Sequence, residues 1–335
     1  MFPVLFDIPV FPAWVGGMLL LLVGAAFAFF ALKDGEDRGS WWMAAAFAGG
    51  AAVLVVKFGF SGPIGPLPIR LFGILVVAGF LAGAKVVANR NSRLGLLEPD
   101  ASFDLTFYIL LVGLVGSRAL HVFQHTDDFA GRPGKMLAIW DGGLVWYGGA
   151  LASTCYAWWW LAKRNKDLWR VSDSLAMGVI LAQAVGRLGC FAAGCDYGSI
   201  VEGGQESVPW AVNFPDHPLT LVPHDFRHDP LTDTRVYVHP VQIYLVATNL
   251  LTFGALWFFD RRGGKNAFPG RLCALYLILY AIGRGTVEHW RGDEDRGLYD
   301  LGLFHASFSQ VASAGVLAAG ILLYRSLRKR RKPGA

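Results

Sequence analysis

The apolar residues of this chain fall in blocks about twenty residues long, separated by short charged or glycine- and proline-rich segments. A helix rises 1.5 Å per residue, so about 20 apolar residues cross the hydrocarbon core of a bilayer. The blocks lie near 12–32, 41–58, 64–88, 104–124, 143–162, 172–192, 240–259, 270–290 and 305–324. They predict an all-α polytopic membrane protein of about nine transmembrane helices. The second block is short and rich in Gly and Ala. The fourth, sixth and eighth each contain an arginine.

The connecting segments alternate in charge. Lys33 and Arg38 follow the first block, Arg90 and Arg93 the third, and Lys163, Arg164, Lys166 and Arg170 the fifth. Arg261, Arg262 and Lys265 follow the seventh, and a basic tail runs from Arg325 to Lys332. The other side carries only Arg132, Lys135, Arg227, Arg235, Arg291 and Arg296. The positive-inside rule therefore predicts a cytoplasmic C-terminus and an external N-terminus. The longest connection, about 193–239, then lies outside, and its mixed composition predicts a small extracytoplasmic cap. Its histidines, His217, His224 and His228, sit in a polar, proline-rich stretch at unremarkable spacings, so no metal is predicted.

Composition supports the same class. Hydrophobic residues make up 54% of the 335 and charged residues 16%, against about 25% charged in a soluble domain. The net charge of +5 accordingly reads as topology signals and head-group contacts, with no nucleic-acid partner. Met1 to Pro9 holds Asp7 and no Lys or Arg, the reverse of a cleavable signal's start, and the run from Pro12 to Leu32 is too long for a signal core. Cys155 and Cys273 lie in apolar blocks as small packing residues.

Arg118, Arg187 and Arg284 are the costly residues. An arginine at the centre of a membrane helix costs about 2.5–3.5 kcal/mol, and such a group usually faces a cavity or an ionic partner. Three of them predict a polar chamber, and a lipid phosphate is the abundant membrane anion that suits guanidinium groups. Around Arg187 runs Gly186-Arg187-Leu188-Gly189-Cys190-Phe191-Ala192-Ala193-Gly194-Cys195-Asp196-Tyr197-Gly198. Its glycines permit a helix end beside a wet pocket, or else a packing motif with a snorkelling arginine. In the string Tyr280 to Arg291, Arg284, Glu288 and Arg291 share one helix face, with Glu288 placed to hold Arg284. Trp140-Asp141-Gly142-Gly143 opens the fifth block with Asp141 as a candidate N-cap. Tyr147, ahead of Gly148 and Gly149, could reach the chamber or join an interfacial aromatic belt. His239-Pro240-Val241-Gln242 leads into the seventh block, where His239 and Gln242 could face the pocket mouth.

Together these strings resemble the prolipoprotein diacylglyceryl transferase family. The family's Gly-Arg-x-Gly-Asn-Phe-x-Asn-Gly-Glu-x-x-Gly signature is matched, with changes, by Gly186 to Gly198. The likeness runs from about Ile64 to Leu323 and takes in Gly116-Ser117-Arg118, Trp140 to Gly143, His239-Pro240-x-Gln242, Arg284 to Asp293 and Ser309-Gln310. It implies a bacterial cytoplasmic (inner) membrane enzyme of lipoprotein biosynthesis. Residues 61–335 form the transferase-like membrane domain, preceded by two added helices in residues 1–60. The implied reaction moves a diacylglyceryl group from phosphatidylglycerol to the thiol of a lipobox cysteine in a prolipoprotein signal peptide, without a cofactor. The family's key arginines correspond to Arg187 and Arg284, and its following glutamate to Glu288. Arg118, Asp141, Gly148, Gly149, Cys190, Cys195, Gly198, His239, Gln242, Tyr280 and Arg291 are the implied substrate-binding residues.

Some family positions differ. Tyr147 stands where the family has His, Cys190 where it has Asn, Cys195 where it has Glu, and Arg70-Leu71-Phe72-Gly73 where it has His-x-Tyr-Gly. An imidazole that could take the acceptor thiol's proton is therefore absent from its usual place. Tyr147, His239 or the lipid phosphate could take that role. Cys190 and Cys195 could pack, form an external disulfide or carry thiol chemistry. Two other readings of the residues are a non-catalytic phospholipid binder and a transferase with a changed acceptor.

Overall fold

The computed structural model describes residues 4–8, 11–12, 63–64, 67–129, 131, 133–138, 142–216, 220–263, 267–292, 298–300 and 305–330. The first two predicted spans lie outside the described residues. So do Asp141 and His217.

The chain divides into two units, Phe2–Gly73 and Ile74–Ala335, the latter also taking in Met1. In the first, β1 (Val4–Ile8) pairs antiparallel with β4 (Leu67–Arg70), and β2 (Phe11–Pro12) with β3 (Pro63–Ile64). The sequence pattern carried a helix back to residue 64, but 67–70 is a strand. Pro66 and Pro68 account for the difference, because proline lacks an N–H and pushes its predecessor toward extended backbone.

Seven long helices follow: α1 (Leu71–Arg93), α2 (Pro99–Gln124), α3 (Trp146–Lys163), α4 (Leu168–Ala193), α5 (Val241–Arg262), α6 (Arg271–Val287) and α7 (Phe308–Lys329). They occupy the third to ninth predicted spans. α1, α2, α4, α5 and α7 are long and apolar enough to cross a membrane. α3 has 18 residues, and the 17 of α6 are prolonged by a 3₁₀ turn, Glu288–Trp290. Two-stranded pairing of β5 (Leu298–Asp300) with β6 (His305–Ser307) precedes α7. The architecture is thus a predominantly helical polytopic membrane fold with short strand pairs, where the sequence predicted helices alone. Large apolar side chains remain on its surface, among them Val115, Leu151 and Leu251, at 68%, 68% and 74% exposure. In a membrane protein these face lipid.

Helix boundaries follow local chemistry. Asp167 caps α4 by accepting from the Arg170 amide at 3.1 Å. Ser307 and Gln310 form a reciprocal capping box at α7. α3 starts only at Trp146, with Val145 as its N-cap, so the N-cap predicted at Asp141 is not the one used. Gly142 and Gly143, at φ +86° and +68°, hold the chain out of helix until that point.

α2 packs on α3, and α4, α5 and α6 pack on one another, with α7 against α6. Leu105, Trp160, Leu161 and Val171 form one buried cluster across α2, α3 and α4. Met177, Ile180, Leu256 and Leu272 form another between α4, α5 and α6. At one end of the bundle Arg90 donates to Asp260 at 2.9 Å, to the Arg170 carbonyl at 3.0 Å and to Ser174 at 2.8 Å. This tie joins the C-terminal ends of α1 and α5 to the start of α4. The C-terminal ends of α4 and α6 and the start of α5 therefore meet at the opposite end.

Candidate functional site

Both signature arginines lie at that opposite end. Arg187 sits in the penultimate turn of α4, which closes at Gly194 with φ +77°. The Cys190 carbonyl accepts from Gly194 N at 2.9 Å and from Cys195 N at 3.1 Å. The second bond is the six-to-one link of a Schellman cap, a geometry that brings the first and last side chains of the motif together. Cys190 and Cys195 are those two positions. Directly after the cap, Asp196 takes a left-handed φ of +53°, which turns its carboxylate back under the helix end. Arg187 Nη1 donates to Asp196 Oδ2.

The loop then runs into a main-chain clip. Ser199 N donates to the Trp290 carbonyl at 2.8 Å and Gly292 N to the Tyr197 carbonyl at 3.1 Å. His239 N donates to the Ser199 carbonyl at 3.0 Å on the other side. Gly198 occupies the crossing. A Cβ there would come within 2.8 Å of His239 Cβ and closer still to its carbonyl oxygen. The clip brings Arg291 beside Asp196, and its Nη2 donates to Oδ1 at 2.9 Å.

From Arg291 the charges continue. Its Nε lies 4.0 Å from Glu288 Oε2. Arg284 Nη1 donates to the same oxygen, and Arg284 Nη2 to Ser309 Oγ at 2.9 Å. Ser307 Oγ donates to Glu288 Oε1 at 2.9 Å. The result is a continuous relay, Arg187–Asp196–Arg291–Glu288–Arg284, closed by two serines at the start of α7. Among the described residues the relay holds three guanidiniums and two carboxylates. Glu288 is 1% exposed, and both its oxygens are engaged, so it acts on Arg284 and Arg291 and not as a free base. Burial pushes the Asp196 carboxyl up, but Arg187 and Arg291 outweigh it and hold the group below the usual carboxylate range.

The other predicted residues distribute around this line. Tyr280 is one turn before Arg284 and stacks on Tyr276 at 5.7 Å. It lies within electrostatic reach of both Arg187 and Tyr147. Tyr147, 44% exposed at the start of α3, is within reach of Arg284 and Glu288 as well. Gln242 is fully buried and donates Nε2 to the Cys195 carbonyl at 2.7 Å, tying α5 to the α4 cap. Gly148 and Gly149 face α2, where a Cβ on Gly148 would lie 2.6 Å from Leu120 Cβ and one on Gly149 2.9 Å from the Gly113 carbonyl. Their place is close packing between helices.

Arg118 and His239 turn to partners of their own. Arg118 spends its donors on loop carbonyls: Nε to Met136 at 2.9 Å, Nη1 to Gly142 at 2.6 Å and Gly143 at 3.1 Å, and Nη2 to Lys135 at 2.7 Å. Its guanidinium also lies over Phe129. His239 turns to an aromatic group in which its Nδ1 meets Tyr244 Oη at 3.1 Å and Trp210 Nε1 donates to the same oxygen at 2.7 Å. Burial holds this imidazole below its usual pKa. Asp196, Ser307 and Ser309 were not picked out from the sequence as site residues. A carboxylate two residues past the cap glycine of an arginine-bearing helix was the available signal for Asp196.

Beyond the cap, His228 Nε2 meets Asp216 Oδ2 at 2.9 Å and its Nδ1 lies 3.2 Å from Asp233 Oδ1. Phe214, Val222 and Val238 bury a small core beneath this loop, packed on Phe191 and Tyr197. The segment predicted as a cap therefore has its own hydrophobic centre.

Comparison with known proteins gives a consistent answer. A family model described as prolipoprotein diacylglyceryl transferase matches residues 61–325. Among curated relatives, the phosphatidylglycerol–prolipoprotein diacylglyceryl transferase of Synechococcus elongatus is 28% identical over 279 residues, covering 81% of this chain and 89% of that one. The enzyme of the same name from Mycobacterium leprae is 34% identical over 239 residues, 69% of each chain. That from Clostridium tetani is 29% identical over 267 residues, covering 79% of this chain and 96% of its own. The matched segment holds the whole relay, and the chain belongs to the prolipoprotein diacylglyceryl transferase family.

Proposed function

We propose that the relay from Arg187 to Arg284 is the head-group site at which this transferase cleaves phosphatidylglycerol. The chain is a membrane enzyme of lipoprotein biosynthesis that moves a diacylglyceryl group from phosphatidylglycerol to a prolipoprotein. In the proposed step the thiolate of a lipobox cysteine in the signal peptide attacks the glyceryl carbon beside the phosphate ester. A C–S bond forms, the C–O bond breaks, and its electron pair leaves on the phosphate oxygen of glycerol phosphate.

The observation that carries this reading is a line of three guanidiniums already oriented by fixed partners. A phosphodiester entering the site adds a negative charge next to groups that need not reorganise, and the charge growing on the bridging oxygen is stabilised as the C–O bond stretches. Arg187 and Arg284 make the proposed phosphate contacts. Asp196 and Glu288 aim them, and Arg291 couples the two halves. Tyr147 and Tyr280 line the approach, and Cys190, Cys195 and Gly198 form its wall. Either Tyr147 or His239 supplies a proton acceptor at the rim, and the departing phosphate is the third candidate.

Orientation follows from the charges. Arg93, Lys163, Arg170, Arg261, Arg262, Arg328 and Lys329 belong to the end tied by Arg90, opposite the relay. Under the positive-inside rule that end is cytoplasmic, and the relay and cap face outward, where signal peptides emerge. With two further spans in residues 1–60, the reading gives nine helices, an external N-terminus and a cytoplasmic C-terminus in the bacterial inner membrane. The test is mass spectrometry of a lipobox peptide incubated with phosphatidylglycerol and purified enzyme. Arg187→Ala should lower turnover by about 10²–10³, the typical effect of removing one preorganised electrostatic donor, while retaining its circular dichroism. Turnover near the native rate would overturn the assignment.

A further inference from the structure

Cys190, Cys195 and Asp196 form a cluster of donor atoms, and the phosphate chemistry gives its two sulfurs no chemical role. The two sulfurs and a carboxylate oxygen of Asp196 all lie within 4.8 Å of one another. In a tetrahedral zinc site with Zn–S of about 2.3 Å, neighbouring sulfurs are about 3.8 Å apart. The three groups thus need to close by an ångström or less. Both cysteines are free thiols, and the backbone places them: one ends the α4 cap and the other begins the loop. Asp196 is held in left-handed backbone immediately beside them. Its oxygens accept from Arg187 and Arg291, which is how the partners of a ligating carboxylate orient it. Gln242 holds the Cys195 carbonyl, and its own buried carboxamide oxygen has no partner among the described residues.

We propose that Cys190, Cys195 and Asp196 bind a zinc ion and that the thiol of the acceptor peptide is its fourth ligand. This deepens the transferase reading and rests on it. Two thiolates and one carboxylate around a divalent ion carry one net negative charge, which the adjacent Arg187 guanidinium offsets. Three protein ligands with an open fourth position is the pattern of a catalytic zinc site, and soft sulfur donors select zinc over magnesium or calcium. A thiol that coordinates zinc loses its proton to solvent outright. The acceptor sulfur then attacks the glyceryl carbon as described above, the electron pair leaves on phosphate, and the thioether product, a weaker ligand than thiolate, departs from the metal. The arrangement supplies a thiolate without a neighbouring imidazole. It pairs the cysteines at 190 and 195 with the tyrosine at 147, three positions where this chain departs from the family pattern.

The test uses the full chain in detergent micelles, reduced and stripped with chelator, then titrated with cobalt(II). One equivalent should produce thiolate-to-cobalt charge transfer and tetrahedral d–d bands, and zinc should displace it. Cys190→Ser/Cys195→Ser should lose these bands, while His228→Ala, in the separate histidine cluster of the cap, should keep them. Adding a lipobox peptide should shift the d–d bands, and the same peptide with serine at the acceptor position should not. Because the double variant could misfold, zinc protection of native protein against alkylation gives an independent readout: Cys190 and Cys195 should be shielded and Cys155 labelled as before. Absence of the bands, their survival in the double variant, or a Cys190–Cys195 disulfide in protein taken directly from membranes would each overturn the proposal. Full lipidation by stripped enzyme would overturn it while leaving the transferase reading intact. The cobalt spectrum without any lipidation would instead count against that reading and leave the metal site standing.

Discussion

Replacing Asp196 by Asn tests the relay at the carboxylate next to Arg187. The carboxylate joins Arg187 to Arg291 and is 31% exposed. Asn keeps one acceptor oxygen but presents an amide to the second guanidinium, so one charge-assisted hydrogen bond is lost. A bond of that class is worth about 1.5–3 kcal/mol, and partial exposure argues for the lower half of the range. At about 1.4 kcal/mol per tenfold change, turnover should fall about 10- to 40-fold. Losing the carboxylate makes the relay more positive by one charge, so KM for phosphatidylglycerol should hold steady or drop. The assay follows lipidated peptide by mass spectrometry across a phosphatidylglycerol titration in mixed micelles. A raised KM with native kcat would refute the reasoning, because it would make Asp196 a contact for substrate and not the group that aims Arg187. Acidification provides a check on sign. A carboxyl held below its unfolded value stabilises the fold above about pH 4, and that stability is lost as pH falls through the folded value. Native protein should lose thermal stability in this acid window more steeply than Asp196→Asn.

Arg118→Ala should lower the thermal midpoint in detergent by the equivalent of about 2–5 kcal/mol, since it leaves several loop carbonyls without a donor; unchanged stability with weakened lipid binding would show that Arg118 serves the head group. Gly198→Ala should cost about 1–3 kcal/mol through overpacking against His239, measured by chemical denaturation, and a neutral result would mean that the clip yields at that crossing. Asp216 and the Asp233 backbone raise the His228 pKa, so their contribution to the cap is full below about pH 6.5 and is lost as pH rises through the folded value. Amide protection in 212–238, corrected for the intrinsic rise of exchange with pH, should accordingly fall on the alkaline side, and persistence of that fall in His228→Gln would assign it to another group.

How much of this could be read in advance varied by residue. The seven described helices were legible because a block of about twenty apolar residues is long enough to span a bilayer as a helix, and Arg187, Arg284, Glu288 and Arg291 stood out because charge is costly in such blocks. Arg118 carried the same signal with a different outcome: its partners are main-chain carbonyls, which a string of side-chain letters does not record. Asp196 was passed over because its importance lies in a φ angle and a clip to residues almost a hundred positions away. The helix start at Trp146, and not at Asp141, was set by two glycines whose positive φ values only the folded chain displays. The strands Pro63–Ile64 and Leu67–Arg70 escaped the hydropathy pattern because Leu67 and Ile69 look equally apolar in either conformation, and Pro68 favours the extended one.

The clip between 197–199 and 290–292 joins two distant stretches through amide and carbonyl groups alone. Such a fastening is indifferent to which side chains flank it, provided that position 198 stays small. The residues bordering the relay can therefore be exchanged without dismantling the frame, which leaves the sulfur pair beside Arg187 open to a chemistry of its own.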